Sequence, residues 1–423
     1  MDGGRRRARD LGLHFGGDEP GPLNAITDVP GVRVGHTTVI AGADVRTGVT
    51  AVVPDALERA GGALPAGLFV GNGFGKLVGA TQIAELGVIE TPVVLTATLS
   101  AFRAADALVT YVLALPGNEN MVTVNPVVGE TNDGYLSDIR ARPVTERHVL
   151  AAIAGARGGP VAEGSVGAGT GTVALGFKAG IGTASRLVRP AAPAGPAAPA
   201  GPAAPAGPAA PGGPAGTPGT VGVLVQSNFS GVLTVRGVPI GSGGTGREGR
   251  ALRPEPAAGE VTGNSCMIVV ATDLGLDARQ LGRVARRAVF AMGRTGADYA
   301  GSSGDYAIAV ATLGGPPAAD SALDPVFAAV HDAVEEAILN SLFMATTVTG
   351  YLGRAVASRA SSRENCVEPT SSVQEEPCST RSDSSGSACW SAICTSSTPG
   401  QRRGRRARNT ACGSRCGCSA RAS

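Results

Sequence analysis

One stretch of this sequence combines the residue types and the setting that covalent chemistry needs. A glycine- and proline-bearing segment, residues 254–263, runs into Asn264-Ser265, and an apolar run from Cys266 to Ala271 follows at once. A hydroxyl at the first position of a buried strand can serve as an N-terminal nucleophile. Ser265 would attack the preceding Asn264 carbonyl, shift the acyl group from nitrogen to oxygen, and be released by hydrolysis. The freed α-amine, with a pKa near ~8, can then act as base for its own hydroxyl. An Asn-Ser turn that merely starts a strand accounts for the same residues, and the local sequence leaves both readings open.

The other candidate chemistries are weaker. His14, His36, His148 and His331 are isolated, with no HxxxH or HExxH pair. No GxSxG elbow follows a strand. The glycine-rich run Gly164–Gly171 leads into the apolar stretch Thr172–Phe177 rather than a helix, and no downstream acid completes a dinucleotide fingerprint. It reads as a tight turn whose backbone N–H groups are open to close approach. Gly71–Lys76 (GNGFGK) lacks the spacing of a phosphate-binding loop, and the Cys-Gly-Ser-Arg-Cys-Gly-Cys run near the end fits no four-ligand zinc pattern. Neither a cofactor nor a metal is expected.

Short apolar, β-branched segments bounded by Gly, Pro or Asn predict the elements that must position such a site. Strands are predicted at Val49–Val53, Gly67–Val70, Pro92–Thr96, Thr172–Phe177, Thr220–Gln226, Met267–Thr272 and Asp305–Thr312. Helices are predicted at Ala101–Leu115, Asp277–Met292 and Asp324–Phe343. The last of these carries Val326, Val330, Val334, Ile338 and Leu342 at four-residue steps. Continuously apolar strands imply a sheet covered on both faces, hence an α/β layering. Cys266, next to Ser265, would then point to the opposite face and be core.

Composition sets the organisation. The 423 residues carry 36 basic and 34 acidic side chains, a net charge of +2, which offers no polyanion-binding surface. No run of 18 apolar residues is present, so no membrane span is expected. Residues 1–19 are polar and arginine-rich and read as a disordered leader without the apolar core of a signal peptide. Residues 20–357 read as one domain, interrupted by a Pro-Ala-Gly repeat at 189–216 that can only be an extended loop. Residues 358–423 contain 16 serines and no leucine, and read as a disordered tail of the kind a shifted reading frame would give. Seven of the eight cysteines fall in that tail; the body has only Cys266, which suits a reducing cytoplasm.

Across this domain the sequence resembles the P1 family of peptidases (peptidase family S58), the self-processing L-aminopeptidase/D-esterase and β-peptidyl aminopeptidase group. The resemblance spans about Gly21 to Ala357. It is carried by GPLNAITDVPGVRVGHTT (Gly21–Thr38), GNGFGKLVG (Gly71–Gly79), NPVVGETNDGYLSDI (Asn125–Ile139) and GSVGAGTGTVALGFKAGIGTASR (Gly164–Arg186). It continues through GVLVQSNFSG (Gly222–Gly231), NSCMIVVATD (Asn264–Asp273), GSSGDYAIA (Gly301–Ala309) and NSLFMATTVTG (Asn340–Gly350), all in order.

The resemblance implies an αββα sandwich with Ntn-hydrolase-like layering and its own connectivity, cut between Asn264 and Ser265 and assembled as a tetramer of αβ pairs. It implies a serine aminopeptidase that removes the N-terminal residue of small peptides, amides or esters through an acyl-enzyme on Ser265. Tyr135 would stand near the reacting carbonyl, and Asn228 would donate to the oxyanion. Ser303 and Asp305 would orient the Ser265 hydroxyl and amine. Asp305 stands where the β-peptidyl enzymes have glutamate, one methylene longer. Glu130, Asn132 and Asp133 would shape the turn presenting Tyr135. Two alternatives remain from the sequence. One is acyl transfer to an amine, as in ornithine acetyltransferases, whose nucleophile is threonine. The other is an inactive chain disabled by its atypical tail.

Overall fold

The computed structural model describes residues 4–189, 218–240, 264–313 and 317–359. The bulk of the Pro-Ala-Gly repeat, the segment leading into Asn264, and all but the first two residues of the Ser/Arg/Cys-rich tail lie outside the described residues.

Two sheets stack between two layers of helices. The first sheet joins β1 (Val32–Ala41), β2 (Val45–Pro54), β5 (Val93–Ala97) and β6 (Val127–Thr131) in that order. The second joins β4 (Val88–Ile89), β3 (Leu64–Gly73), β14 (Ser303–Ala311), β13 (Asn264–Thr272), β10 (Gly219–Asn228) and β9 (Ile181–Val188). Three cores give the layer order. Val49, Ala51, Val53, Val94 and Val128 pack against α2 (Ala101–Leu113) and α3 (Glu146–Ala154). Val52, Leu95 and Val127 meet Leu224, Met267, Val269 and Ile308 between the sheets. Cys266, Ile268, Val270, Ala307 and Ala309 pack against α4 (Ala278–Ala291) and α5 (Asp324–Phe343). This is the expected αββα sandwich. The strands of the second sheet are apolar on both faces because both faces are covered.

Local sequence explains most elements. Asp277 caps α4, its carboxylate accepting from the Gln280 N–H at 2.7 Å while Gln280 reaches back to the Asp277 N–H. Pro325 starts α5, where its missing N–H costs nothing. The expected strand at Thr172–Phe177 is instead a hairpin of β7 (Val173–Ala174) and β8 (Phe177–Lys178). Leu175 and Gly176 turn it with φ of 53° and 83°, the left-handed pair that a two-residue hairpin requires.

Residues 4–19 differ most from expectation. Ala8 and Phe15 are buried. Arg9 pairs with Glu336 at 3.0 Å, and Arg7 with Glu163 at 2.8 Å. Composition alone reads these arginines as solvated. Their partners are buried acids on distant elements, which no local pattern announces. No helix among the described residues is long and apolar enough to cross a membrane.

Candidate active site

Strand pairing brings the chemistry-bearing residues into one row. Asn228, the last residue of β10, stands opposite Ser265 in the antiparallel pair with β13. Ser265 stands opposite Gly304 in the parallel pair with β14, and Gly304 opposite Gly73 of β3. Ser303 and Asp305 flank Gly304. Asn228, Ser265, Ser303 and Asp305 are all buried, none more than 3% exposed. Four of the five residues picked from sequence therefore converge from strands far apart in the chain.

Alternation along the strands divides them between two faces. Cys266 belongs to the helix-side core and Met267 to the inter-sheet core, so the Ser265 side chain shares the inter-sheet face with Met267. On β14, Tyr306 is inter-sheet and Ala307 helix-side, which puts Ser303 and Asp305 on the helix side beside Cys266. Strand alternation thus puts Ser303 and Asp305 on the face of the sheet that Cys266 occupies, next in register to the main chain of Ser265.

Their bonding fits that placement. The Ser303 hydroxyl donates to Asp305 Oδ1 at 2.7 Å. Asp305 Oδ2 has no hydrogen-bond partner. Burial pushes the Asp305 pKa up to about 6, against the pull of the Ser303 hydroxyl and the nearby Cys266 amide. Burial likewise pushes the Cys266 thiol up, and Cys266 is core as expected.

Asn228 is fixed on both sides. Its Nδ2 donates to the Asn132 carbonyl at 3.0 Å, and its Oδ1 accepts from the Val173 N–H at 3.0 Å. Tyr135, three residues past Asn132, is 38% exposed, with the Arg354 guanidinium 4.9 Å over its ring. It stands on the rim rather than in the buried row. The Gly164–Gly171 loop does not present its amides. Gly167 and Ala168 donate to Thr38 and Thr50, and Gly169 and Thr170 close the loop's own turn.

The inter-sheet side of the row holds a residue whose role the sequence reading missed. Glu130, at the end of β6, is 2% exposed; its Oε1 accepts from the Lys76 N–H at 2.8 Å, and its Oε2 has no hydrogen bond. Lys76 Nζ stands 3.8 Å away. A side chain at Gly75 would lie 3.2 Å from Glu130 and 3.0 Å from the Tyr306 ring, and one at Gly304 would lie 3.2 Å from that same ring. Glu130 therefore packs close to Gly75 and the Tyr306 ring, the same ring that Gly304, opposite Ser265, approaches. The signal was an acid inside the apolar run Val127–Thr131, where solvation cannot explain it. Elsewhere, half-buried His36 stands 3.0 Å from the Thr50 hydroxyl, and desolvation of its ring lowers its pKa to about 4. Among the described residues no group of three His, Cys, Asp or Glu could hold a metal ion.

Comparison with known proteins agrees with this geometry. Residues 24–356 match the model of peptidase family S58. The β-peptidyl aminopeptidase BapA of Sphingosinicella xenopeptidilytica is 38% identical over 377 residues, covering 81% of this chain and 86% of that protein. A β-aminopeptidase from a Burkholderia species superposes with a TM-score of 0.68 at 36% identity, over 84% of this chain and 95% of the other. The L-aminopeptidase D-Ala-esterase/amidase of Ochrobactrum anthropi superposes with a TM-score of 0.70 at 35% identity, over 83% and 95%. That enzyme is described as a prototype of the serine aminopeptidases with a variant of the Ntn-hydrolase fold.

Proposed function

The chain belongs to peptidase family S58 and is an aminopeptidase of the Ntn-hydrolase type, and from that premise we propose how its own residues do the work. The chain cuts itself between Asn264 and Ser265. The Ser265 hydroxyl attacks the Asn264 carbonyl, the acyl group moves from nitrogen to oxygen, and water hydrolyses the ester. Asn264 is left with a carboxylate and Ser265 with a free α-amine. In catalysis that amine takes the hydroxyl proton as Oγ attacks the substrate carbonyl. Asn228 donates to the oxyanion. The proton passes to the leaving amine or alcohol, and water then releases the acyl group.

The observation that carries this reading is the row Asn228–Ser265–Gly304 with Asp305 behind it. Asp305 faces the main chain of the nucleophile, where the new α-amine forms, and its unpartnered Oδ2 suits a cationic neighbour. Glu130 supplies the negative group that a substrate ammonium requires, on the face to which the hydroxyl points. Substrates are small peptides, amides or esters with a free N-terminal amine. The names of the relatives support β-peptides, peptides with an N-terminal L-residue, and D-Ala esters and amides as the first to test. Assembly of cut pairs into a tetramer is part of the proposal. Leu99, Phe102, Leu113 and Val122, exposed around α2, supply apolar surface for it.

Intact mass of the purified protein tests the reading. It should give two co-purifying pieces of 264 and 159 residues, the smaller beginning Ser265-Cys266-Met267. Ser265→Ala should give one uncut, inactive chain. Cutting elsewhere, or full activity in that variant, would overturn it.

A further inference from the structure

The chain carries 36 basic side chains, and only Lys76 and Lys178 among them are lysines. Lys76 stands against Glu130. The segment after β3 runs along the open edge of β6, where Val78 and Val128 exchange both main-chain hydrogen bonds, at 3.0 and 3.2 Å. Continued by two residues, that antiparallel register sets Lys76 opposite Glu130. The Lys76 N–H donates to Glu130 Oε1 at 2.8 Å, and Lys76 Nζ stands 3.8 Å from the same oxygen. Nζ also donates to the Thr98 hydroxyl at 2.8 Å, which tethers the ammonium on the Oε1 side. Glu130 Oε2 is buried and has no hydrogen bond.

The pair adjoins the row that holds the nucleophile. A Cβ at Gly75 would lie 3.2 Å from Glu130 Oε1, and one at Gly304, opposite Ser265, would lie 3.1 Å from the Gly75 Cα. Gly75 thus stands between the carboxylate and the strand neighbour of Ser265. A carboxylate this buried is favoured in its ionised form by a cation within about 4–6 Å. The type of cation decides what is left for a ligand. A guanidinium closes on both oxygens of a carboxylate as a fork, whereas an ammonium is a point charge that can hold one of them. In a chain that otherwise relies on arginine, position 76 carries the cation that leaves an oxygen open.

We propose that Lys76 is a positioning residue for the amine of the substrate. It neutralises Glu130 through Oε1 and keeps Oε2 open for a primary ammonium, without touching the substrate itself. This rests on Glu130 being the receptor of that ammonium. Without the Lys76 charge the carboxyl favours its neutral form, which attracts an ammonium weakly. With a guanidinium at position 76 the open oxygen is filled. Either change weakens binding of the amine and leaves the attack by Ser265 as it was, so it acts on KM rather than kcat.

The test compares the p-nitrophenyl esters of alanine and of propionic acid, the same acyl group with and without its amine. Rates are normalised to cut chains of the full-length protein. Preference is the ratio of kcat/KM for the two esters. Lys76→Met and Lys76→Arg should each lower that preference roughly tenfold or more, through a higher KM for the alanine ester. Lys76→Met should have no further effect on the preference once Glu130 is glutamine. A loss shared equally by both esters would make Lys76 a purely structural residue and overturn the proposal. So would a lower KM for the alanine ester in Lys76→Met, which would make Lys76 a competitor of the substrate amine. Parent behaviour in Lys76→Arg would refute the open oxygen. If Glu130→Gln leaves the preference intact, the ammonium is received elsewhere and the reading of Glu130 itself fails, which is a separate result. Thr98→Val keeps the test decisive if Lys76→Met does not fold. It unties Nζ with both charges in place and should lower the preference in the same direction; an unchanged preference there refutes the tether.

Discussion

Asp305→Asn in an uncut Ser265→Ala background should make the protein more stable, and only above a definable pH. Asp305 is fully buried, and burial raises its pKa from 3.8 to about 6. Between those two values the native chain binds more protons than the unfolded one, so stability falls as pH rises through that window and is flat above it. A shift of that size corresponds to a penalty of roughly 3 kcal/mol once the carboxylate is ionised. Asparagine removes the charge, and its Oδ1 still accepts from Ser303. The double variant should therefore exceed Ser265→Ala by roughly 3 kcal/mol near about pH 8, with the gain fading toward about pH 4. Urea unfolding of both variants across that range measures it. Asp133 and Glu163, which burial also pushes up to about 7, titrate identically in the two and cancel. In the cut parent the new α-ammonium faces Asp305 and lowers its pKa, so the loss of stability through this window should shrink there. A gain independent of pH, or a less stable double variant at about pH 8, would refute both the buried charge and its assignment as the amine's partner.

Three further outcomes follow from named contacts. Asn228→Ala should lower kcat roughly 10²- to 10³-fold, as the loss of one oxyanion donor does, and should also lower the melting temperature, because it leaves the Val173 N–H and the Asn132 carbonyl without their side-chain partner. Gly304→Ala would bring a methyl within 2.9 Å of the Phe74 carbonyl and 3.2 Å of the Tyr306 ring. It should cost roughly 1–3 kcal/mol by overpacking and slow both cutting and turnover, read by thermal melting and by mass. Glu336→Gln should cost roughly 3–5 kcal/mol in urea unfolding, because it strands the fully buried Arg186 that Glu336 neutralises at 2.7 Å.

Periodicity made the layered fold legible where strands are continuously apolar and helices carry a regular stripe. The prediction for α5 coincides with the observed helix, and those for β2, β3, β5, β10, β13 and β14 overlap the observed strands, whose ends differ from the predicted ones by up to four residues. β1 was missed because His36, Thr37 and Thr38 dilute its apolar alternation, and β9 because its buried Ser185 and Arg186 look solvated in sequence. Among the site residues, Ser265 was legible locally through its position before an apolar run. Tyr135, Asn228, Ser303 and Asp305 were legible only through the family resemblance. None of them has a partner nearby in sequence except Ser303 and Asp305 with each other. The face that each residue occupies needed the register, because a period of two says that Ser265 and Cys266 diverge but not which of them Asp305 follows.

The order of strands also gives the proposed cut beside Ser265 a structural basis for leaving one molecule. The piece after the cut would hold β13, β14, α4, α5 and a short closing hairpin (Val348–Thr349 with Ala355–Val356), and the piece before it the remaining strands and helices. In the second sheet β13 and β14 lie side by side, with β10 on one flank and β3 on the other. The smaller piece is thus the centre of a sheet whose edges belong to the larger one, and both ladders survive the loss of one peptide bond. The helix side is bound in the same way. Glu336 of α5, in the smaller piece, is held by Arg9 and Arg186 and by Asn24 at 2.5 Å, all from the larger. The arginine-rich leader would therefore serve as a clasp between the two pieces of the proposed cut. Hydrolysis before Ser265 would then change the chemistry of that residue while leaving the row that positions it held by strands from both pieces.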